Sequence, residues 1–228
     1  FGINKLNEEK AVNGSLGVTA SFGAFTATVD GYFINVKDRI VLTGYFDATE
    51  IDPNVEEAQF FVNGIDTKTA GVDIVLAWKK KFGDSNFAAT LVGNINHMTI
   101  GDVKNGTLDK EIFFGEREKK FLLASAPANK FGLNLNYDKK WFNAGLAFTR
   151  FSKVELLDYQ MYEDVADYGS FADQIKAATD TYNAKIVTDL TLGFKLNKSS
   201  KLSIGANNLF NIYPDQQDDW VEAGGYWD

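Results

Sequence analysis

Apolar and polar residues alternate along most of this chain with a period of two. "SLGVTASF" sets Leu16, Val18, Ala20 and Phe22 on one side and Ser15, Gly17, Thr19 and Ser21 on the other. "FTATVDGYF" repeats the pattern with Phe25, Ala27, Val29 and Phe33 against Thr26, Thr28, Asp30 and Tyr32. The same rhythm runs through Val72, Ile74, Leu76 and Trp78, through Phe87, Ala89, Leu91 and Ile95, and through Phe131, Leu133, Leu135 and Tyr137. It continues in Phe142, Ala144, Leu146 and Phe148, in Leu190, Leu192, Phe194 and Leu196, and in Leu202, Ile204 and Ala206. Each of these eight segments carries the signature of a strand with one apolar face.

The connections alternate as well. Tight turns fall near Gly23, in "KKKFGDSN", in "DKK" and in "NKSS", at nearly even spacing. Between the hairpins they close lie long polar stretches near 38–66, 101–119 and 152–182, and a further one covers 212–228. The segments share a pattern and not residues, so this is a meander of hairpins and not a repeat family. The expected fold is all-β: one antiparallel up-and-down meander over residues 1–228, part of a large transmembrane β-barrel. Short turns at one rim and long loops at the other are the layout of an outer-membrane barrel.

The aromatic positions agree with that layout. Phe22, Phe25, Trp78, Phe87, Tyr137, Phe142 and Phe194 flank the short turns, while Phe33, Phe148, Phe151, Phe210 and Tyr213 lie toward the other strand ends. Aromatic rings favour the membrane–water boundary, so two such girdles would bracket an apolar band. Alternation also describes a soluble sandwich or a lipocalin-like barrel whose apolar face points inward. The opposite face favours the membrane: Thr26, Thr28, Asp30, Asn94, Asn96, Asn134, Asn136 and Asn143 suit a wet lumen better than the Lys- and Glu-rich exterior of a soluble sheet.

Composition narrows the function classes. A net charge of −8 argues against nucleic acid as a partner, because phosphate binding needs clustered Lys and Arg. The absence of Cys excludes disulfides and thiolate metal sites. Nineteen Phe, nine Tyr and four Trp form a heavy aromatic load, while the mean hydropathy of −0.20 resembles that of a soluble protein. No apolar run is long enough for a transmembrane helix, and the opening "FGINKLNEEK" shows no signal peptide, so the chain reads as a piece of something longer.

Longer stretches resemble a known family. "KIVTDLTLGFKLNKSSKLSIGANNLFNIYPD", Lys185 to Asp215, is similar to the C-terminal region of TonB-dependent outer-membrane receptors, where a "V-D-L" strand, a short turn and a "G-x-N-N-L-F-N" strand make the penultimate hairpin. "YFINVKDRI" (Tyr32 to Ile40), "NGIDTKTAGVDIVLAW" (Asn63 to Trp78) and "APANKFGLNLNY" (Ala126 to Tyr137) resemble its earlier barrel strands. The resemblance implies a 22-stranded plugged barrel of which this chain supplies roughly a third of the wall. No plug, TonB box or closing strand is expected within these residues. It also implies location in the outer membrane, contact with its lipid, coupling to the TonB complex through a plug in the parent protein, and uptake of a small ligand or nutrient. Within the strand that ends this hairpin, Asn207 and Asn208 are expected to bond backbone groups as the chain leaves the membrane.

Candidate chemistry is sparse. His97 is the one histidine, and its parity with Leu91 and Ile95 points it outward at a strand end. No zinc-protease, P-loop, nucleophile-elbow or EF-hand pattern occurs, so no enzyme activity, catalytic residue, cofactor-binding residue or metal ligand is expected. Acidic groups gather at Asp47, Glu50, Asp52, Glu56 and Glu57, and again at Glu155, Asp158, Glu163, Asp164 and Asp167; such groups are solvated loop residues more often than ligand sites. "YGSFADQIKAATDTY", Tyr168 to Tyr182, suggests a short helix capped by Ser170, with Phe171, Ile175 and Ala178 along one stripe. The expected function is uptake of a scarce nutrient. The alternatives are a small independent outer-membrane barrel, acting as passive pore or anchor, and a soluble β-sandwich binding module.

Overall fold

A computed structural model of the chain describes residues 3–157 and 169–216. Eight long strands dominate it: β1 (Lys10–Phe22), β2 (Phe25–Leu42), β5 (Phe61–Phe82), β6 (Ser85–Val103), β7 (Asn129–Lys139), β8 (Phe142–Phe151), β11 (Lys185–Lys195) and β12 (Lys201–Ala206). The connections carry the short strands β3 (Phe46–Asp47), β4 (Glu57–Ala58), β9 (Val154–Leu157) and β10 (Thr179–Tyr182). They also carry helices α1 (Lys110–Phe114), α2 (Glu116–Ala124) and α3 (Phe171–Ala177). The long strands form one sheet in the order β1-β2-β5-β6-β7-β8-β11-β12, every pair antiparallel, as a meander requires.

The tight turns follow from glycine. Phe22 pairs with Phe25 around Gly23 (φ +58), and Phe82 with Ser85 around Gly83 (φ +59). A positive φ at the first of two turn residues matches the strand twist, and glycine adopts it without strain.

Register then sorts the side chains, since residues paired across antiparallel strands share a face. One row crosses all eight strands as Phe22, Phe25, Trp78, Ala89, Leu135, Leu146, Leu190 and Ala206, without a polar member. A row on the other face runs Ser21, Thr26, Ala77, Thr90, Asn134, Ala147 and Asp189. On the apolar face the turn-side aromatics touch: Trp78 and Phe87 lie 5.6 Å apart, Tyr137 and Phe142 6.3 Å, and Phe142 and Phe194 5.3 Å between ring centroids. Phe151 departs from expectation. It pairs with Lys130 in the row of Asp30, Asp73 and Asn94, so it belongs to the polar face, where Lys130 Nζ sits 4.7 Å from its ring. Its neighbour Arg150 takes the other side and donates to Asn129 Oδ1 at 2.6 Å.

The sheet is a single layer. Leu16 is 85% exposed and Ile74, Leu133 and Leu192 are half-buried, so no sealed interior collects them. Among the described residues β1 and β12 end the sheet and do not pair with each other, which excludes both a closed eight-stranded barrel and a two-sheet sandwich. The buried core lies instead at the rim of long connections, around Val41, Phe46, Val62, Ile65, Phe113 and Phe114. Strands β2 and β5 also run further into the 38–66 stretch than alternation suggests, through Leu42 and from Phe61. At ~3.4 Å per residue the 22-residue β5 is about twice the ~9–11 residues needed to cross a membrane.

Glycines inside the sheet seat their cross-strand partners. Gly93 pairs with Phe131, whose ring stands 2.7 Å from where a Cβ would be. Gly17 pairs with Asp30, and the carboxylate lies over it. Asp30 also pairs with Asp73, and like charges directly opposite destabilise a ladder. Leaning over Gly17 takes Asp30 away from Asp73, which turns instead to Asn94. Replacing Gly93 by Ala should therefore cost about 1–3 kcal/mol by forcing the Phe131 ring aside. Gly14→Ala, with nothing within 4 Å, should leave the thermal unfolding midpoint unchanged. Equal midpoints for the two variants would contradict this packing.

Candidate functional site at the loop rim

The connection between β6 and β7 folds back over the strand ends. Asp109 caps α1 by accepting from the Glu111 and Ile112 N–H groups at 2.9 and 3.1 Å, and Glu118 accepts from the Gly115 N–H at 3.0 Å at the start of α2. Phe113 and Phe114 are thereby driven against Ile65, Ile100 and Val103. Ile65 and Ile100 continue the register of the polar face, so here that face is covered by apolar loop residues. Gly64 permits the contact: a Cβ there would stand 3.2 Å from Phe113 and 2.9 Å from Val41.

A kink in β2 organises the neighbouring wall. Asp38 adopts φ 57, a left-handed conformation that costs a non-glycine residue energy, and the β2–β5 register is irregular there. Polar contacts hold it. Asp38 N–H donates to Asp66 Oδ1 (2.9 Å), Asn63 Nδ2 donates to Asp38 O (2.7 Å), and Lys104 Nζ reaches Asp38 and Asp66 at 2.6 and 2.5 Å. The kink sets Arg39 opposite Ile65, and its Nη1 donates to Thr67 Oγ1 at 3.3 Å. On unbroken alternation Arg39 would share the face of Phe33.

Beside the kink opens a cleft of about 450 Å3 between the loop end of β2 and helix α2, lined by Arg39, Tyr45, Gln59, Arg117, Glu118 and Phe121 among others. The Arg117 guanidinium lies 5.1 Å from the Phe121 ring centroid and 3.7 Å from Glu118 Oε1. Gln59 Nε2 is anchored on Thr43 O at 2.9 Å.

Further down the polar face, Asn94 Nδ2 donates to Asp73 Oδ1 (2.8 Å) and to Tyr32 OH (3.1 Å), and Asn96 Nδ2 donates to Asn94 Oδ1 (3.3 Å). Thr19 bonds Thr28 and Ser21 bonds Thr26 across β1 and β2. Between β7, β8 and β11 this face dips into a groove of about 320 Å3 lined by Asn134, Asn136, Asp138, Asn143, Asp189 and Thr191. All eight polar positions singled out in the sequence therefore share one face with these groups.

The family model described as TonB dependent receptor-like, beta-barrel, matches residues 1–209. This chain belongs to the TonB-dependent receptor family. Solved receptors share the fold. The ferric yersiniabactin uptake receptor FyuA from Yersinia pestis aligns with a TM-score of 0.57 at 14% identity, over 91% of this chain and 26% of its own. The FrpB iron transporter from Neisseria meningitidis gives 0.58 at 15%, over 92% and 28%. The copper transporter OprC gives 0.55 at 16%, over 92% and 26%. The chain spans about a quarter of the length of these receptors. None of the curated proteins matches it in sequence. The family is one of outer-membrane receptors and transporters, which places this receptor barrel in the outer membrane.

Other sequence candidates in the receptor barrel resolve into local structure. Asp47 accepts from Thr49 Oγ1 and N–H, and Asp52 from the N–H and Nδ2 of Asn54; these bonds hold both carboxyls below their ordinary range. Glu50, Glu56 and Glu57 are exposed. Glu155 is held down by Lys153 (2.8 Å) and Lys120 (3.3 Å), while Asp158, Glu163, Asp164 and Asp167 lie outside the described residues. No group of three His, Cys, Asp or Glu side chains able to hold a metal occurs among the described residues. His97 is exposed and pairs with Ala70 in the row of Phe33. Ser170 caps α3 through a reciprocal box with Asp173, as expected, but the helix stops at Ala177. Ala178 is buried against Leu157 with Ile175 beside them, Phe171 is exposed, and 179–182 pair with β9 as a strand. Sequence reading did not find the cleft. Its residues come from three separate stretches, and only the non-glycine kink at Asp38 marks the place.

The "NNLFN" stretch follows directly on the end of β12. Asn208 (φ 49) accepts from Ile212 N–H at 2.9 Å through Oδ1 and donates from Nδ2 to Ile212 O at 2.8 Å, while its own N–H donates to Asp189 Oδ1 at 2.8 Å. Asp215 then pairs with Lys185 and accepts from Asn183 N–H at 2.7 Å; the Lys185 bond, with the Asn183 N–H next, lowers its carboxyl to about 2. A carboxyl depressed below its unfolded value of ~3.9 stabilises above that pH and loses the contribution as pH falls through about 2. Slow amide exchange at Asn183 should persist at pH 4 and fail toward pH 2, and Asp215→Asn should speed it at neutral pH. Phe113→Ala should cost the loop cover about 3 kcal/mol. Faster exchange at the Lys104 N–H, which donates to Gly64 O, would report this while mid-sheet amides stay unchanged.

Proposed function

We propose that this chain forms part of the wall of an outer-membrane receptor that takes up a scarce nutrient by a TonB-coupled step. The apolar row through Phe25, Trp78, Leu135 and Leu190 supports contact with the lipid of the membrane. In lipid an unpaired backbone group has no partner, so the free edges of β1 and β12 call for neighbouring strands of the parent barrel. The polar face with Asp73, Asn94, Asn134 and Asn136 then lines the lumen. The connections near 38–66 and 101–119 face the outside and meet the ligand there, as would those near 152–182 and 212–228, which lie partly outside the described residues.

Energy coupling runs through a plug domain of the parent protein and the TonB complex. This chain's part is passive. It holds the ligand at the loop rim, offers hydrogen bonds along the lumen and keeps lipid out. The observation that carries the reading is the family match over residues 1–209 joined to an unbroken apolar row across eight strands. FyuA, FrpB and OprC act on iron or copper by their descriptions, which supports a nutrient scarce enough to need active uptake.

Disrupting the gene in its host should remove growth on one limiting nutrient and spare growth when that nutrient is abundant. Accumulation should stop when a protonophore collapses the proton gradient, while surface binding remains. Accumulation that persists without a proton gradient would leave only a passive pore.

A further inference from the structure

We infer that the cleft between β2 and α2 binds a small aromatic carboxylate. The inference rests on the receptor reading above, which sets this cleft at the rim where ligand enters.

The lining is unusual for this chain. Arg39 and Arg117 are two of its three arginines, set among many lysines. A guanidinium presents a flat fork of N–H donors that fits a carboxylate in bidentate fashion, which an ammonium does not. Glu118 is the one carboxylate in the lining and is shared between Gly115 N–H and Arg117, so two guanidiniums against one acid leave the cleft with a net positive charge that favours an anion.

Ring chemistry supplies the second half. Tyr45 and Phe121 border the same space and stay 41% and 42% exposed, and Arg117 extends the Phe121 face. Aromatic faces and guanidinium planes stack flat rings, so the surface suits an arene that bears the anion. The volume of about 450 Å3 falls within the ~300–1,000 Å3 common for small-molecule sites. Finally, Arg39 owes its placement to a left-handed Asp38 held by Lys104, Asn63 and Asp66. Such strained non-glycine residues gather at ligand sites, where the surroundings hold them in place.

The test uses the intact receptor in detergent with three fragment probes: benzoate, benzamide and cyclohexanecarboxylate. Saturation-transfer NMR should detect benzoate and give markedly weaker transfer to the uncharged amide and to the saturated acid. Arg39→Gln and Arg117→Gln should each weaken benzoate about tenfold. The matching Lys variants should recover only part of the loss, and Arg150→Gln should change nothing. Unfolding midpoints equal to the parent's separate lost binding from lost folding. Equal transfer to benzamide, benzoate binding that survives both Gln variants, or no transfer at all would overturn the assignment. Nutrient accumulation that survives both Gln variants would overturn it too, and would leave the receptor reading standing.

Discussion

Everything in this structure depends on the register of backbone hydrogen bonds across eight antiparallel strands. The side-chain period of a strand is two, so a slip of one residue between β2 and β5 would exchange the faces of every residue beyond it. Phe25 opposite Trp78, Leu76 opposite Leu91 and Leu135 opposite Leu146 are thus one constraint repeated. The turns at Gly23 and Gly83 hold that constraint at one rim. Cross-strand glycines support it within the wall, because Phe131 and Asp30 fit only where the partner has no side chain.

The two rims use opposite physics. At the turn rim the strands are tied by tight loops and by touching aromatic rings, with little buried surface. At the loop rim the sheet's polar face ends beneath Phe113 and Phe114, and the molecule acquires a water-excluding core. That division suits a receptor. On the proposed reading the membrane takes over the role of a core along the wall, and the protein needs one of its own only where loops meet water.

The cleft and the polar face are joined by the kink at Asp38. Its polar anchors come from β5 and from the β6–α1 connection, so the position of Arg39 reports on the packing of two loops at once. Ligand contact at Arg39 or Arg117 would be felt by the same elements that roof the polar face. This gives the wall a physical link between the cleft and the polar face.

Much of the architecture was legible from residue order alone. Alternation named the eight strands, glycine and short polar runs named the turns, and Phe87, Tyr137, Phe142 and Phe194 marked the aromatic belt. Asn208 in "NNLFN" was readable as a turn-closing residue, since asparagine tolerates a left-handed backbone and bonds it at the same time. These features are local, and each is written within a few residues. Tertiary structure decided what depends on strand offset or on distant partners. It put Phe151 on the polar face through its pairing with Lys130, extended β2 and β5 through a salt-bridged kink, folded Phe113 over Gly64, and brought Arg39 and Arg117 to one cleft. No local period records those meetings, because pairing offset and loop packing are set by contacts between residues far apart in the chain.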